Sequence, residues 1–267
     1  MDLWLQAVLL GVLEAATEFL PVSSTGHLIL MGHVLGFDDS NAGDVFKVVI
    51  QLGAILAICV LYFSRLWGVL TGVLRREAGA LKFASAVLIA FFPAALLGVM
   101  LHGFIKETLF NPFVVCVALV VGGFAILLAE KMQPKAKVFA VEEMGFLTSL
   151  KVGACQCLAL VPGVSRSGAT ILGGLLVGLE RKVATEFSFF LAIPTMFGAT
   201  AYDLFKNRDM LNMDDMEIIG IGFVTTFVVA LLVVKWAVAF ITKHGFAPFA
   251  YYRIVLGSVG LAALLLV

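Results

Sequence analysis

Two glutamates, Glu14 and Glu18, stand four residues apart in an otherwise apolar run, so a helix there carries both carboxylates on one face. At bilayer depth each charge costs about 2.5–3.5 kcal/mol on insertion scales, and two together repel. A cation, a proton or a basic partner has to compensate them. The run is then broken by Pro21-Val22-Ser23-Ser24-Thr25-Gly26-His27, a cluster of hydroxyls with a histidine one residue past a glycine. At a half-helix start the first N–H groups are free, so Ser23, Ser24, Thr25 and Gly26 make a cradle for an anion. His27, expected within reach of Ser24 and Glu18, has the chemistry of a general base, a general acid or the activator of a serine nucleophile.

A second cluster, Pro162-Gly163-Val164-Ser165-Arg166-Ser167-Gly168, contains the only Lys or Arg between Lys151 and Arg181. Its glycines let the backbone turn tightly and come close to a ligand. Ser165, Ser167 and Thr170 add hydroxyls, Gly168 opens the following half-helix, and Arg166 offers a planar fork suited to phosphate. The plainer role for Arg166 is structural, pairing Glu14 or Glu18. Carboxylates do not bind phosphate directly, so Glu14 and Glu18 beside two anion cradles imply a bridging divalent metal, as in phosphoryl transfer. The substrate should have a phosphate head and an apolar tail. His33, His102 and His244 have no comparable neighbours and are expected as interface or loop histidines.

The elements that must position these residues read as two broken helices. Gly11–Gly36 and Gly153–Gly178 superpose at one constant offset, pairing Gly11 with Gly153, Ser23 with Ser165, Ser24 with Arg166 and Gly26 with Gly168. Gln156 and Leu160 then stand where the first copy has Glu14 and Glu18. Each arm is too short or too polar to span a bilayer, which needs about 20 apolar residues. Two short arms joined at a Pro-Ser tip predict a re-entrant hairpin, tolerated where the irregular backbone is buried in protein or lines a wet cavity. Hairpins are expected over 3–36 and 149–178, with spans over 45–63, 83–101, 112–129, 184–202, 218–240 and 248–267. Pro93 is expected to kink its span, and residues 65–82 to form a loop.

Of the 267 residues 61% are hydrophobic and 13% charged, against roughly 25% charged in a soluble domain. The expectation is an all-α integral membrane protein, one membrane domain over 1–267. Net charge is zero, so nothing electrostatic favours nucleic acid. Cys59, Cys116, Cys155 and Cys157 sit in apolar runs and are expected as free thiols. The first Lys or Arg is Lys47, so the positive start of a secretory signal is missing and the N-terminus is kept as mature structure. The positive-inside rule puts the Arg65–Lys82 and Lys131–Lys151 loops, Arg181-Lys182 and Lys243 in the cytoplasm. The Asp38–Asp44 connector, the Lys106 loop, the Asp203–Glu217 connector and both termini then face outward, and the first hairpin opens outward. Each repeat, about 1–130 and 149–267, has one hairpin and three spans; three is odd, so the two have inverted topology.

Glu14-Ala-Ala-Thr-Glu18, the Phe19–His27 stretch and Pro162–Thr170 together resemble the bacterial undecaprenyl-diphosphatase family of the bacitracin-resistance type, a resemblance that includes Val48–Gly53 and Glu186-Phe187-Ser188-Phe189. The resemblance implies hydrolysis of undecaprenyl diphosphate to the monophosphate and inorganic phosphate. That recycles the lipid carrier for peptidoglycan and other envelope polymers, and links to bacitracin, which sequesters the same diphosphate. It implies Mg2+ or Ca2+, the bacterial inner membrane, Glu14 and Glu18 as the glutamate pair, Ser24 and His27 as nucleophile and base, and Arg166 as the phosphate arginine. Attack by serine or by water stays open, as does oligomeric state. An inverted-repeat lipid-phosphate transporter or flippase is the alternative that the same architecture would serve.

Overall fold

The computed structural model describes residues 2–37, 43–207 and 213–266. The acidic positions Asp38, Asp39 and Asp209 lie outside them, as do the side chains of Asp44, Asp214 and Asp215. The described chain is helical, as its composition requires: backbone groups in lipid have to be satisfied within the segment. The first hairpin is α1 (Leu3–Thr17) and α2 (Ser24–Leu35); the second is α7 (Phe146–Gln156), a 3-10 turn at Cys157–Leu160, and α8 (Arg166–Leu176). Between and after them run α3 (Gly43–Leu61), α4 (Phe63–Leu74), α5 (Ala78–Phe104), α6 (Pro112–Met132), α9 (Arg181–Asn207), α10 (Met213–His244) and α11 (Ala247–Leu266). Five helices are long and apolar enough to cross a membrane, and a sixth crossing counts if α3 and α4 are taken together.

Three expectations change. Residues 65–74, expected as loop, belong to α4, bent 77° from α3. Phe63, Trp67, Leu70 and Leu74 are exposed along it while Arg65 pairs with Glu142 at 2.5 Å, the pattern of a helix lying in the membrane interface. The Lys106 loop is instead a wide π turn, Ile105–Leu109, continuing α5. The helix α5 begins at Ala78, inside the expected loop, and holds Pro93 within it, which membrane helices tolerate when neighbours satisfy the freed carbonyl.

Large apolar side chains such as Phe92, Phe124, Leu232 and Val259 are exposed on α5, α6, α10 and α11, the surface a bilayer would cover. Inside, α1 packs on α10 and α7 on α5, so each hairpin's first arm lies against a span from the other half of the chain. Matched glycines make both approaches possible. A Cβ at Gly11 would meet the Gly222 carbonyl oxygen at 2.8 Å, and one at Gly153 would meet the Ala90 carbonyl oxygen at 2.5 Å. α6 packs along α11, and α3 lies against α9 and α10. The two hairpin tips meet in the middle of this frame.

Candidate active site

Both tips are built the same way. Ser23 precedes α2 with φ 70°, and Ser165 precedes α8 with φ 80°. The left-handed region costs a non-glycine residue about 1–2 kcal/mol, so something has to hold each serine there. It is the cap: Ser23 Oγ accepts from the Gly26 N–H at 3.3 Å, and Ser165 Oγ from the Gly168 N–H at 3.1 Å. Each cap consumes the glycine N–H, so the donors open to a ligand are the earlier N–H groups of the two helices.

The tips are stitched together by hydroxyls. Ser167 donates to the Leu20 carbonyl at 2.7 Å, and Ser165 Oγ lies 3.0 Å from Ser167 Oγ. Thr170 Oγ1 stands 2.7 Å from Ser188 Oγ, and Arg166 Nη1 donates to the Ser188 carbonyl at 2.7 Å. Arg166 Nη2 reaches Glu18 Oε1 at 2.6 Å, and Ser24 donates its hydroxyl hydrogen to Glu18 Oε2. Glu18 therefore joins Ser24 of one tip to Arg166 of the other, with both members of the ion pair almost fully buried. Arg166 does meet Glu18, the plainer role considered for it, while its Nε stays buried without a hydrogen bond.

His27 turns the other way. Nδ1 lies 2.8 Å from the Ser23 carbonyl, which can only accept, so Nδ1 carries the hydrogen. Nε2 is 2.7 Å from the Tyr252 hydroxyl on α11. The structure brings Ser24 to Glu18 and not to His27, whose ring is occupied on both sides.

Glu14 is fully buried, and neither carboxylate oxygen makes a hydrogen bond. Its neighbours are Glu18, Ser24 and Arg166. Two bare buried oxygens beside a second carboxylate call for a cation or a proton, so Glu14 and Glu18 fit a divalent metal. Among the described residues no group of three His, Cys, Asp or Glu could hold one, so the protein supplies a carboxylate pair at most. Mg2+ suits such a pair, since it keeps several waters and takes its remaining ligands from substrate phosphates.

A cavity of about 480 Å3 opens from the tips between α3, α5 and α9. Glu18, Ser23, Ser24, Thr25, Ser165 and Arg166 make its polar foot, and Phe91, Ala94, Gly98, Leu160 and Met196 its apolar wall. Lys47, His102, Lys106 and Asp203 stand at its far end. Of the expected site residues, Glu14, Gly26, His27, Ser167, Gly168 and Thr170 do not line the cavity; they lie behind the surface of the tips. A polar foot under an apolar wall suits an amphiphile with an anionic head.

Sequence reasoning passed over Tyr252 and Arg253 on α11, and Ser188 on α9. Arg253 had a signal: it is a cation inside the last apolar span, and intramembrane charges mark sites. Ser188 stood in the Glu186–Phe189 stretch of the family resemblance without a role, and Tyr252 had no signal, because only packing brings α9 and α11 to the tips.

Residues 7–259 match the model of a family described as bacitracin resistance protein BacA. The chain is 56% identical to the undecaprenyl-diphosphatase of Parvibaculum lavamentivorans, over 96% of this chain and 94% of that protein. It is 54% identical to that of Caulobacter vibrioides, over 98% and 97%, and 53% identical to undecaprenyl-diphosphatase 2 of Paramagnetospirillum magneticum, over 95% and 96%. A match that runs through both tips and every helix that supports them, at this identity, leaves one reading of descent: the chain belongs to the bacitracin resistance protein BacA family.

Proposed function

We propose that this chain is a multi-pass membrane phosphatase that hydrolyses undecaprenyl diphosphate to undecaprenyl phosphate and inorganic phosphate. It thereby recycles the lipid carrier of cell-wall synthesis and confers bacitracin resistance. The observation that carries the reading is the buried chain Ser24–Glu18–Arg166 at the foot of an amphiphile-shaped cavity. The names of its relatives supply the substrate.

The diphosphate head settles on the foot with its tail along the apolar wall. Arg166 and the first N–H groups of α2 and α8 hold phosphate oxygens. Ser24 attacks the terminal phosphorus as its hydroxyl hydrogen passes to Glu18 Oε2, the atom it already bonds. The bond from the terminal phosphorus to the bridging oxygen breaks, undecaprenyl phosphate departs, and water then releases phosphate from the serine. His27 holds the tip in register through the Ser23 carbonyl and Tyr252. Glu14 and Glu18 would hold Mg2+ or Ca2+, which supplies neutralisation of phosphate charge.

The halves act as inverted repeats in the bacterial inner membrane, with both termini and the far end of the cavity outward. Lys106 and Asp203 belong to the connectors that the positive-inside rule sends out, and Lys47 stands in the first turns of α3, next to the Asp38–Asp44 connector. Ser24→Cys in a cysteine-free background should label from the outer face; labelling only from the cytoplasmic face would reverse the orientation. For the activity itself, detergent-purified protein should release phosphate from undecaprenyl diphosphate with Mg2+ present. No release, together with substrate-dependent lipid movement in vesicles, would make it a flippase. A Ser24→Ala protein that keeps a substantial fraction of the rate would make water the nucleophile.

A further inference from the structure

Arg253 is 1% exposed, two turns into α11, and its hydrogen-bond partners are all backbone carbonyls. Nη1 donates to Pro21 and Val164 at 2.9 Å each, Nη2 to Gly163 at 2.8 Å and Ala118 at 3.1 Å, and Nε to Leu119 at 3.4 Å. All five guanidinium hydrogens are used. Three acceptors come from the two tips and two from α6, so one side chain on α11 fastens both tips to the same wall.

A buried cation is expensive unless it is paired, and carbonyl dipoles compensate it only in part. Its position gives the reason for keeping it. The tips turn their carbonyls back onto Arg253 and so turn the starts of α2 and α8 forward to the cavity. Its charge also sits close behind that surface, with Nη1 3.5 Å from where a Cβ on Gly168 would be. Without a metal, Glu14, Glu18 and Arg166 leave this region net negative when ionised. Arg253 restores the balance without facing the ligand.

We infer that Arg253 is a positioning residue for phosphate capture, fastening the two tips by their carbonyls and placing a second positive charge behind the surface that receives the diphosphate. This rests on the diphosphatase reading and extends it.

The test uses the full-length protein with Mg2+ and two variants. Arg253→Lys keeps the charge but offers three hydrogens for five acceptors. Gly122→Ala keeps every donor but pushes the guanidinium back, because a Cβ at Gly122 would collide with Nη2. The readouts are kcat and KM on undecaprenyl diphosphate, calorimetric Kd for inorganic pyrophosphate, and the melting temperature. Misplacing a binding group by about 1 Å can cost about a hundredfold, so the expected result is a rise of about tenfold or more in KM and in pyrophosphate Kd alike. Pyrophosphate has no tail, so a matching loss locates the effect at the phosphates. A folded variant of either kind with parental KM and Kd reduces Arg253 to a structural staple and overturns the inference; Gly122→Ala decides it if the lysine variant does not fold. Parental protein that binds pyrophosphate but releases no phosphate from the lipid would fault the activity reading, and the Kd comparison would still judge Arg253.

Discussion

The tip at Pro21–His27 and the tip at Pro162–Gly168 share a backbone and differ in chemistry. Each has a serine forced to positive φ that caps a glycine N–H three residues on. Yet the first has Ser24, with Glu14 and Glu18 on the arm before it, where the second has Arg166, Gln156 and Leu160. The serine cap is what the fold needs twice; the charges are what one substrate needs once. Glu18 and Arg166 meet at 2.6 Å across the gap because the shared backbone aims unlike side chains at the same place.

The two tips depend on each other most at that junction. Glu18→Gln removes the charge facing Arg166 and leaves one amide oxygen where two carboxylate oxygens served Arg166 and Ser24, and phosphate release should fall by about a thousandfold or more, as when members of a catalytic unit are removed. Arg166→Lys keeps the cation but loses the fork, and kcat/KM should fall by about a hundredfold, with a smaller loss counting against phosphate contact. The two serine caps should respond as a matched pair. Ser23→Ala and Ser165→Ala each lose a cap while keeping the left-handed strain, so each should lose about 1 kcal/mol or more in thermal unfolding, whereas the glycine replacements should lose only a few tenths. Unequal losses would mean that the tips are not equivalent supports.

Gly11→Ala and Gly153→Ala test the two close helix approaches. At Gly153 all three nearest obstacles are backbone atoms of Ala90, from 2.5 Å, while at Gly11 the approach starts at 2.8 Å and one of the three obstacles, Thr226 Oγ1, can rotate. Overpacking typically costs about 1–3 kcal/mol, and Gly153→Ala should take the larger share. Tyr252→Phe, which removes only the hydroxyl facing His27, should change turnover the least, by about a few-fold, because a net hydrogen bond is worth about 0.5–1.5 kcal/mol.

Much of this was legible in residue order. Apolar runs marked the spans, Pro21 and Pro162 marked the breaks, and Glu14, Glu18, Ser24 and Arg166 stood out as polar groups in an apolar setting. The extent of helix was less legible: α4 and the turn after α5 were read as loops because their charges resemble connectors, while their apolar faces lie where lipid would be.

What the sequence determined by itself was the inventory, since charge in an apolar run is costly and period and proline act locally. Which groups meet was decided only by tertiary structure. Ser24 turned to Glu18 and away from His27, Tyr252 took the histidine, and Arg253 closed on both tips from residues far along the chain. A hydrogen bond depends on distances of a few tenths of an ångström between side chains far apart in the chain, and no local pattern encodes that.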